Sequence, residues 1–270
     1  MKKEIAKVFS GWEFIITFVL MCLISLASAI SVISYDYNAH IYSGTNPMLG
    51  VSSVYTKWIG NDWNTWSSTL YFFVFPLVAC MPGGLSLYRE IKTNYNAQML
   101  IRERKEIYYL HKYIAAFISG GSIVCLPVIL NIAVVALRFP FRAPDLNYDI
   151  FYKIQPFSFG SSMFYEYPWL YLIVRVAVIF VYAGLCAMLS VSISFICKNR
   201  YIILFVPQIL FMIVNFSNMI LRIPYELSPI RFLGAGNTYI VSTSVVFAEV
   251  AVLFVFCVVM YVYGSKRDVL

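Results

Sequence analysis

The chain predicts an all-α membrane protein with six transmembrane helices, folded as a single transmembrane domain over residues 1–270. Three observations carry that prediction. Hydrophobic residues make up 61% of the chain and charged residues 12%, about half the charge of a soluble domain. Six apolar runs each reach the roughly 20 residues that cross a bilayer as a helix. Lys and Arg fall almost entirely outside those runs and favour one side of the membrane.

Taken in order, residues 1–11 come first. Lys3, Lys7 and Ser10 share one helical face opposite Ile5, Val8 and Phe9, which predicts a short interfacial helix. Ala27-Ser28-Ala29 imitates a signal cleavage site. The apolar run from Phe14 to Ile33 is longer than a signal core, however, and Glu4 and Glu13 are foreign to a signal's basic head. The expectation is an uncleaved first span over 14–35, followed by spans at 69–88, 113–137, 169–196, 201–221 and 240–263.

Pro76, Pro82, Gly83 and Gly84 interrupt the second span, Gly120, Gly121 and Pro127 the third, and Pro207 the fifth. Proline removes a helical hydrogen bond and small residues let helices approach closely, so these are packing devices or hinges. The connections 36–68 and 138–168 are long and aromatic, and are expected to lie on the outer leaflet or cap the outer mouth. The segment 222–239 is apolar enough to re-enter the membrane in part.

Charge orients the array. Of the 20 Lys and Arg residues, thirteen fall on the side of the termini and the 89–112 loop, six fall on the other side, and Arg175 lies within a span. That asymmetry places both termini inside. Trp12 is expected at the inner interface, with Trp66 and Trp169 at the outer one.

Polar groups inside the spans are few. Arg175 falls about two turns into the fourth span and Glu249 about three turns into the sixth. Both lie in the outer half, within reach of each other as an ion pair, with snorkelling of Arg175 as the alternative. Asn131, Gln208, Asn215 and Asn218 either join helices or line a polar path.

Several functions are excluded or weakened. No GxxxxGK[ST] is present, so the chain does not bind ATP through a P-loop. HExxH and GxSxG are absent, and His40 and His111 are the only histidines. The six cysteines show no metal-binding or redox spacing and read as small core hydrophobes. The net charge of +7 follows membrane topology and implies no nucleic acid partner.

The segment from Leu87 to Lys112 is the one strongly charged stretch. Its second half lacks Pro and Gly and reads as an amphipathic helix, with Leu100 and Ile107 on one side and Arg102 and Glu106 as an i,i+4 pair. Within REIKTNYNAQMLIRERKEIYYLHKYIAAF the order is a charged exit from span two, a helical segment, and Lys112 opening span three. Together with the basic N-terminal stretch and the long charged loop, that order resembles the membrane subunit of a type-2 ABC exporter, an ATP-binding cassette transporter whose permease and ATPase are separate chains.

The resemblance implies that residues Asn96 to Glu106 form a coupling helix seated in a cleft of a separate P-loop ATPase, contacting it through Asn96, Arg102, Glu103, Arg104, Lys105 and Glu106. It implies no catalytic residue, metal or cofactor on this chain, with ATP and Mg held by the ATPase. It also implies a second permease chain, identical or related, in a cell membrane whose lipids surround both. The aromatic outer loops and apolar interior fit an amphipathic peptide, a lipid-linked glycan or a hydrophobic drug equally. Because polar residues inside the spans advertise no large aqueous path, a peptide or a hydrophobic small molecule is the expected substrate. Three other classes remain: a sensor or immunity protein that binds a peptide without any ATPase, a membrane-embedded enzyme, for which no acidic or His cluster is visible, and a secondary transporter, which Arg175 and Glu249 alone support.

Overall fold

The computed structural model describes residues 2–43, 52–62, 65–144, 154, 158–221, 224–234 and 240–266. Twelve helices occur among them: α1 (Lys2–Phe9), α2 (Trp12–Ser43), α3 (Val54–Lys57), α4 (Trp66–Gly83), α5 (Ser86–Lys92), α6 (Tyr95–Arg102), α7 (Lys105–Ala136), α8 (Ser161–Glu166), α9 (Pro168–Ile193), α10 (Arg200–Leu221), α11 (Pro229–Gly234) and α12 (Thr243–Lys266). Six of them, α2, α4, α7, α9, α10 and α12, are long and apolar enough to cross a membrane. These are the six spans the sequence predicts.

Two layers are distinguishable by burial. Within the most apolar stretch, half or more of the residues are buried in α4, α7 and α9, against a third or fewer in α2, α10 and α12. The inner trio is therefore the core, and the outer trio faces the surroundings. Ile16, Leu23, Ile213, Phe216, Val252 and Val259 are among the exposed side chains of the outer trio. Where lipid replaces water such a surface is satisfied rather than sticky.

The inner trio meets through small residues. A Cβ built on Gly120 of α7 would lie 2.6 Å from Ala187 Cβ and 3.0 Å from the carbonyl oxygens of Ala183 and Ala79. Three backbones thus converge on one position that only hydrogen can occupy.

Proline does not end these helices. Pro76 and Pro82 lie inside α4, Pro127 inside α7 and Pro207 inside α10. Pro207 cannot donate to the carbonyl of Ile203, and the Ser190 hydroxyl donates to that carbonyl instead, at 3.0 Å. Three residues before Pro76, the Phe73 carbonyl accepts Gln208 Nε2 at 2.8 Å. Three residues before Pro127, the Val124 carbonyl accepts the Tyr71 hydroxyl. Each donor comes from another helix, so the interruptions serve as points of attachment.

Several expectations need correction. The helix of the first span continues to Ser43, because no Pro or Gly follows Tyr35 before Gly44. The helix of the third span starts at Lys105 rather than near Tyr113. Glu103 and Arg104 are extended, so Leu100 and Ile107 belong to different helices and Arg102 with Glu106 is no i,i+4 pair. The first outer connection does not lie free on a leaflet: Val54 to Asp62 are all buried, and Trp58 and Ile59 are fully enclosed in the core. Ile59 N–H donates to Asn131 Oδ1 at 3.0 Å, and Asn131 Nδ2 donates to the Ser25 carbonyl at 2.9 Å. Trp12, Trp66 and Trp169 are exposed, as interfacial anchors should be. Trp63 lies outside the described residues, as do Tyr148, Phe151, Tyr152 and Phe157 of the second connection.

Substituting Gly120 with Ala is expected to lower the thermal midpoint, at about 1–3 kcal/mol of overpacking. Leu126→Ala on the exposed face of α7 should change it far less. Tryptophan-fluorescence melts of the two purified variants make the comparison; equal midpoints would refute the three-way contact.

Candidate functional site

Four elements meet at the end of the bundle that carries the N-terminus: α1, α5, α6 and the first turns of α7. α1 is joined to α7 through Glu4 and to α5 through Lys7, and Gly11 marks the break before α2. After α4, the chain enters α5, then turns through Asn94, whose left-handed backbone (φ 55°) Asn tolerates better than most residues. α6 then lies between α5 and α7. It buries Asn96 and packs Met99 and Leu100 against a cluster that includes Leu87, Tyr108 and Tyr109.

At the centre of this end, the Lys112 ammonium is 1% exposed. Its Nζ donates to Glu90 Oε1 at 2.6 Å and to Glu4 Oε2. Lys7 Nζ donates to the same Glu90 oxygen at 2.7 Å, and the Tyr108 hydroxyl donates to Glu90 Oε2. At the rim, Arg89 donates to Glu13. Three cations face three carboxylates, and α1, α2, α5 and α7 are tied together. Burial alone would raise Glu90, but the hydrogen bonds from Lys112, Lys7 and Tyr108 hold its carboxyl below the usual range. Burial works against the Lys7 charge, and the contact with Glu90 outweighs it and raises the group above its ordinary value.

The predicted coupling residues divide. Asn96 is buried, and its Oδ1 has no partner. Glu103 and Arg104 are exposed at the extended break, with Glu103 Oε2 4.0 Å from His111 Nδ1. Lys105 and Glu106 open α7, where the Glu106 carbonyl accepts the Tyr261 hydroxyl from the end of α12 at 3.1 Å. The Arg102 side chain is outside those described. Ile101, 87% exposed, projects from the last turn of α6. Lys112, expected only to open the third span, lies two turns inside α7. The Glu90–Lys112–Glu4–Lys7 network was missed, because its partners are 22 to 108 residues apart and nothing local pairs them. The one available signal was Tyr108 and Lys112 at i,i+4 within an apolar helix.

At the opposite end, Arg175 and Glu249 do not pair. Arg175 is 2% exposed and points inward, so it does not snorkel. Its Nη2 donates to the carbonyls of Phe232 at 2.8 Å, Leu233 at 3.0 Å and Gly60 at 3.4 Å. Phe232 and Leu233 are in the last turn of α11, where carbonyls lack helical partners and the helix end is partly negative. The guanidinium thus caps α11 and pins the Gly60 turn. Carbonyl dipoles compensate its charge, which removes the need for a carboxylate. Glu249 instead accepts the Tyr182 hydroxyl at 2.9 Å. The segment expected to re-enter is represented by α11, with Phe232 and Leu233 in the main core.

Comparison of the chain with protein-family models, curated proteins and solved structures gave no match. Among the described residues, no group of three or more His, Cys, Asp or Glu side chains is arranged to hold a metal ion.

Removing one partner of a buried ion pair costs about 3–5 kcal/mol, so Glu90→Ala is expected to detach α1 and lower stability strongly, while Glu13→Ala at the exposed rim is nearly neutral. Because Glu90 lies below its unfolded value, ordinarily 4.5, its contribution is present above that pH and is lost as pH falls through the folded value. Lys7 lies above its unfolded value of 10.5, so its contribution is full below that pH and is lost only beyond it. Trp12 emission followed across pH should report docking through the neutral range and release in acid; no acid transition would contradict the network. For the other end, a double-mutant cycle of Arg175→Gln and Glu249→Gln is expected to be additive within about 0.5 kcal/mol, with Arg175→Gln the larger loss.

Proposed function

We propose that the chain is the membrane-spanning permease subunit of an ABC exporter of the type-2 kind, with α6 as the element on which a separate ATPase acts. The observation that carries this reading is the construction of the charged end. α6 exposes Ile101 at its tip beside the charged Glu103–Arg104 break, while its other face is packed on α7. Through Lys112 and Glu90, α7 is locked to α1 and α5. A force on α6 is therefore handed to a buried, hydrogen-bonded body continuous with α7 and, through Tyr261, with α12. An ornamental loop has no need of such a foundation.

On this reading both termini and α6 are cytoplasmic, the substrate is a peptide or a hydrophobic small molecule, and two permease chains flank the path. ATP and Mg are bound by the partner ATPase, and this chain supplies no catalytic residue. Asn96 faces inward, so on this reading the accessible contact runs over Ile101, Glu103, Arg104 and Glu106.

The test is a mild-detergent purification of the tagged chain from its native membrane, comparing wild type with Ile101→Asp and Arg104→Glu. Both side chains are exposed, so both variants should insert and fold normally. The expected result is a stoichiometric P-loop ATPase with wild type and its loss with either variant. Recovery of the chain alone, or with a peptide in place of an ATPase, overturns the reading in favour of a sensor or immunity protein.

A further inference from the structure

A cavity of about 330 Å³ opens at the charged end between α1, α5 and α6, lined by Lys7, Arg89, Glu90, Thr93, Tyr95 and Gln98. That volume is enough for a small ligand or a headgroup. Its two cations, Lys7 and Arg89, are half-exposed, and neither is saturated by its carboxylate. An ammonium carries three donors and a guanidinium five; Lys7 gives one to Glu90 Oε1, and Arg89 gives one to Glu13. The Lys7 ammonium also stands over the Tyr95 ring, 5.1 Å from its centroid, which joins the α1 wall to the α6 wall. The carboxylate in the wall, Glu90, already receives Lys112, Lys7 and Tyr108, so its charge is compensated from within the protein. What the cavity presents to an incoming group is a set of unused N–H donors on two cations.

Charge and depth narrow the ligand. α1 and α5 together carry Lys2, Lys3, Lys7, Arg89 and Lys92 against Glu4 and Glu90, a surplus that draws the anionic headgroups of a bilayer surface. Arg89 makes its contact with Glu13, the residue after Trp12, which is exposed where the first span begins. An exposed Trp at the start of a span marks the level of the headgroups, so Arg89 stands at that level. From Glu13 an apolar stripe runs down the same face of α2. Ile16, Leu20 and Leu23 lie within about 80° of it around the helix, and all three are exposed. Cationic donors at headgroup depth and a lipid-facing stripe beside them are the two halves of a phospholipid site.

We propose that this cavity binds a phosphate group at the membrane surface, and that the phosphate belongs to an anionic phospholipid. Arg89 turns its remaining donors to the phosphate oxygens, which its planar guanidinium suits. Lys7 adds the second cation, and the acyl chains follow Ile16, Leu20 and Leu23 along α2. Phosphate is the anion that every phospholipid brings to this depth. A zwitterionic lipid brings it together with a cation of its own, which the surplus of Lys and Arg disfavours. Because the walls belong to α1, α5 and α6, the bound lipid ties α6 to the body beneath it. The site needs a bilayer but no ATPase, so it stands or falls separately from the transport reading.

The test is native mass spectrometry of the full chain, purified in a neutral detergent and given equimolar phosphatidylglycerol and phosphatidylcholine of the same chain length. Retention of phosphatidylglycerol in preference to phosphatidylcholine is expected. Arg89→Gln should cut that preference by about fivefold. Glu13→Gln breaks the same ion pair but keeps the cation, so the preference should stay or rise; damage to the fold through the broken pair would show in both variants. Lys92→Gln removes an equal charge from α5 outside the cavity and should change the preference little. Glycerol 3-phosphate separates the sources. Displacement of the lipid identifies a soluble phosphate ester as a second ligand of the site, and retention assigns the site to the lipid alone; either supports a phosphate site. Equal retention of the two lipids by the wild type overturns it. So does a loss in Lys92→Gln equal to that in Arg89→Gln, which would mean diffuse surface charge. A loss in Glu13→Gln as large as that in Arg89→Gln also overturns it, because the ion pair and not the donor would then be responsible.

Discussion

Inside hydrocarbon a backbone carbonyl has no water to turn to, and this constraint organises the protein from its prolines to its buried arginine. Each proline in a long helix frees or strains a carbonyl, and in three cases a side chain from another helix meets one near the interruption: Ser190 at Ile203, Gln208 at Phe73 and Tyr71 at Val124. Arg175 applies the same solution to a helix end. It completes the last turn of α11 and holds the Gly60 turn with the same guanidinium. These polar bonds lie among small-residue contacts such as that at Gly120, where no side chain fits. Helix packing without a hydrophobic driving force depends on close approach and on polar bonds between helices, and here the two devices coincide on α4, α7 and α9.

The charged end obeys a different rule. A buried ammonium is costly unless every neighbour is arranged for it, and Lys112 has two carboxylates, one of which also receives Lys7 and Tyr108. The network holds α1 against α5 and α7 by bonds that span 83 and 108 residues of sequence. Such a cluster adds little net stability over a well-packed apolar substitute. Its consequence is geometric: α1 has one position, and α5 and α7 share it. On the transport reading, that fixed body is what converts a push on α6 into motion of whole helices rather than bending of a loop.

The number and placement of the spans were readable because composition and run length alone determine them. Helix ends were read less well. α2 ends about two turns beyond the predicted first span and α7 begins about two turns before the predicted third, since hydropathy reports the membrane and not the helix, and nothing in IYYLHK or in DYNAHIYS breaks one. The break at Glu103–Arg104 had no proline or glycine to announce it. Arg175 and Glu249 stand out in the sequence as charges within apolar runs, but the pairing was inferred from depth alone. Depth on two helices does not say which faces meet, and a guanidinium can be satisfied by carbonyls as well as by a carboxylate. Lys112, Glu90, Glu4 and Lys7 went unconnected for the same reason: their association belongs to the packing of four elements.

The two ends differ in how their polar groups are satisfied. At the charged end, the cations and carboxylates of the buried network are matched to one another. Around α10, oxygens of Gln208, Asn215, Asn218 and Ser228 have no hydrogen-bond partner among the described residues, as is true of Asn96 at the charged end, and Glu249 accepts the Tyr182 hydroxyl. The first end is thus held by matched charges, and the second by backbone carbonyls and hydroxyls.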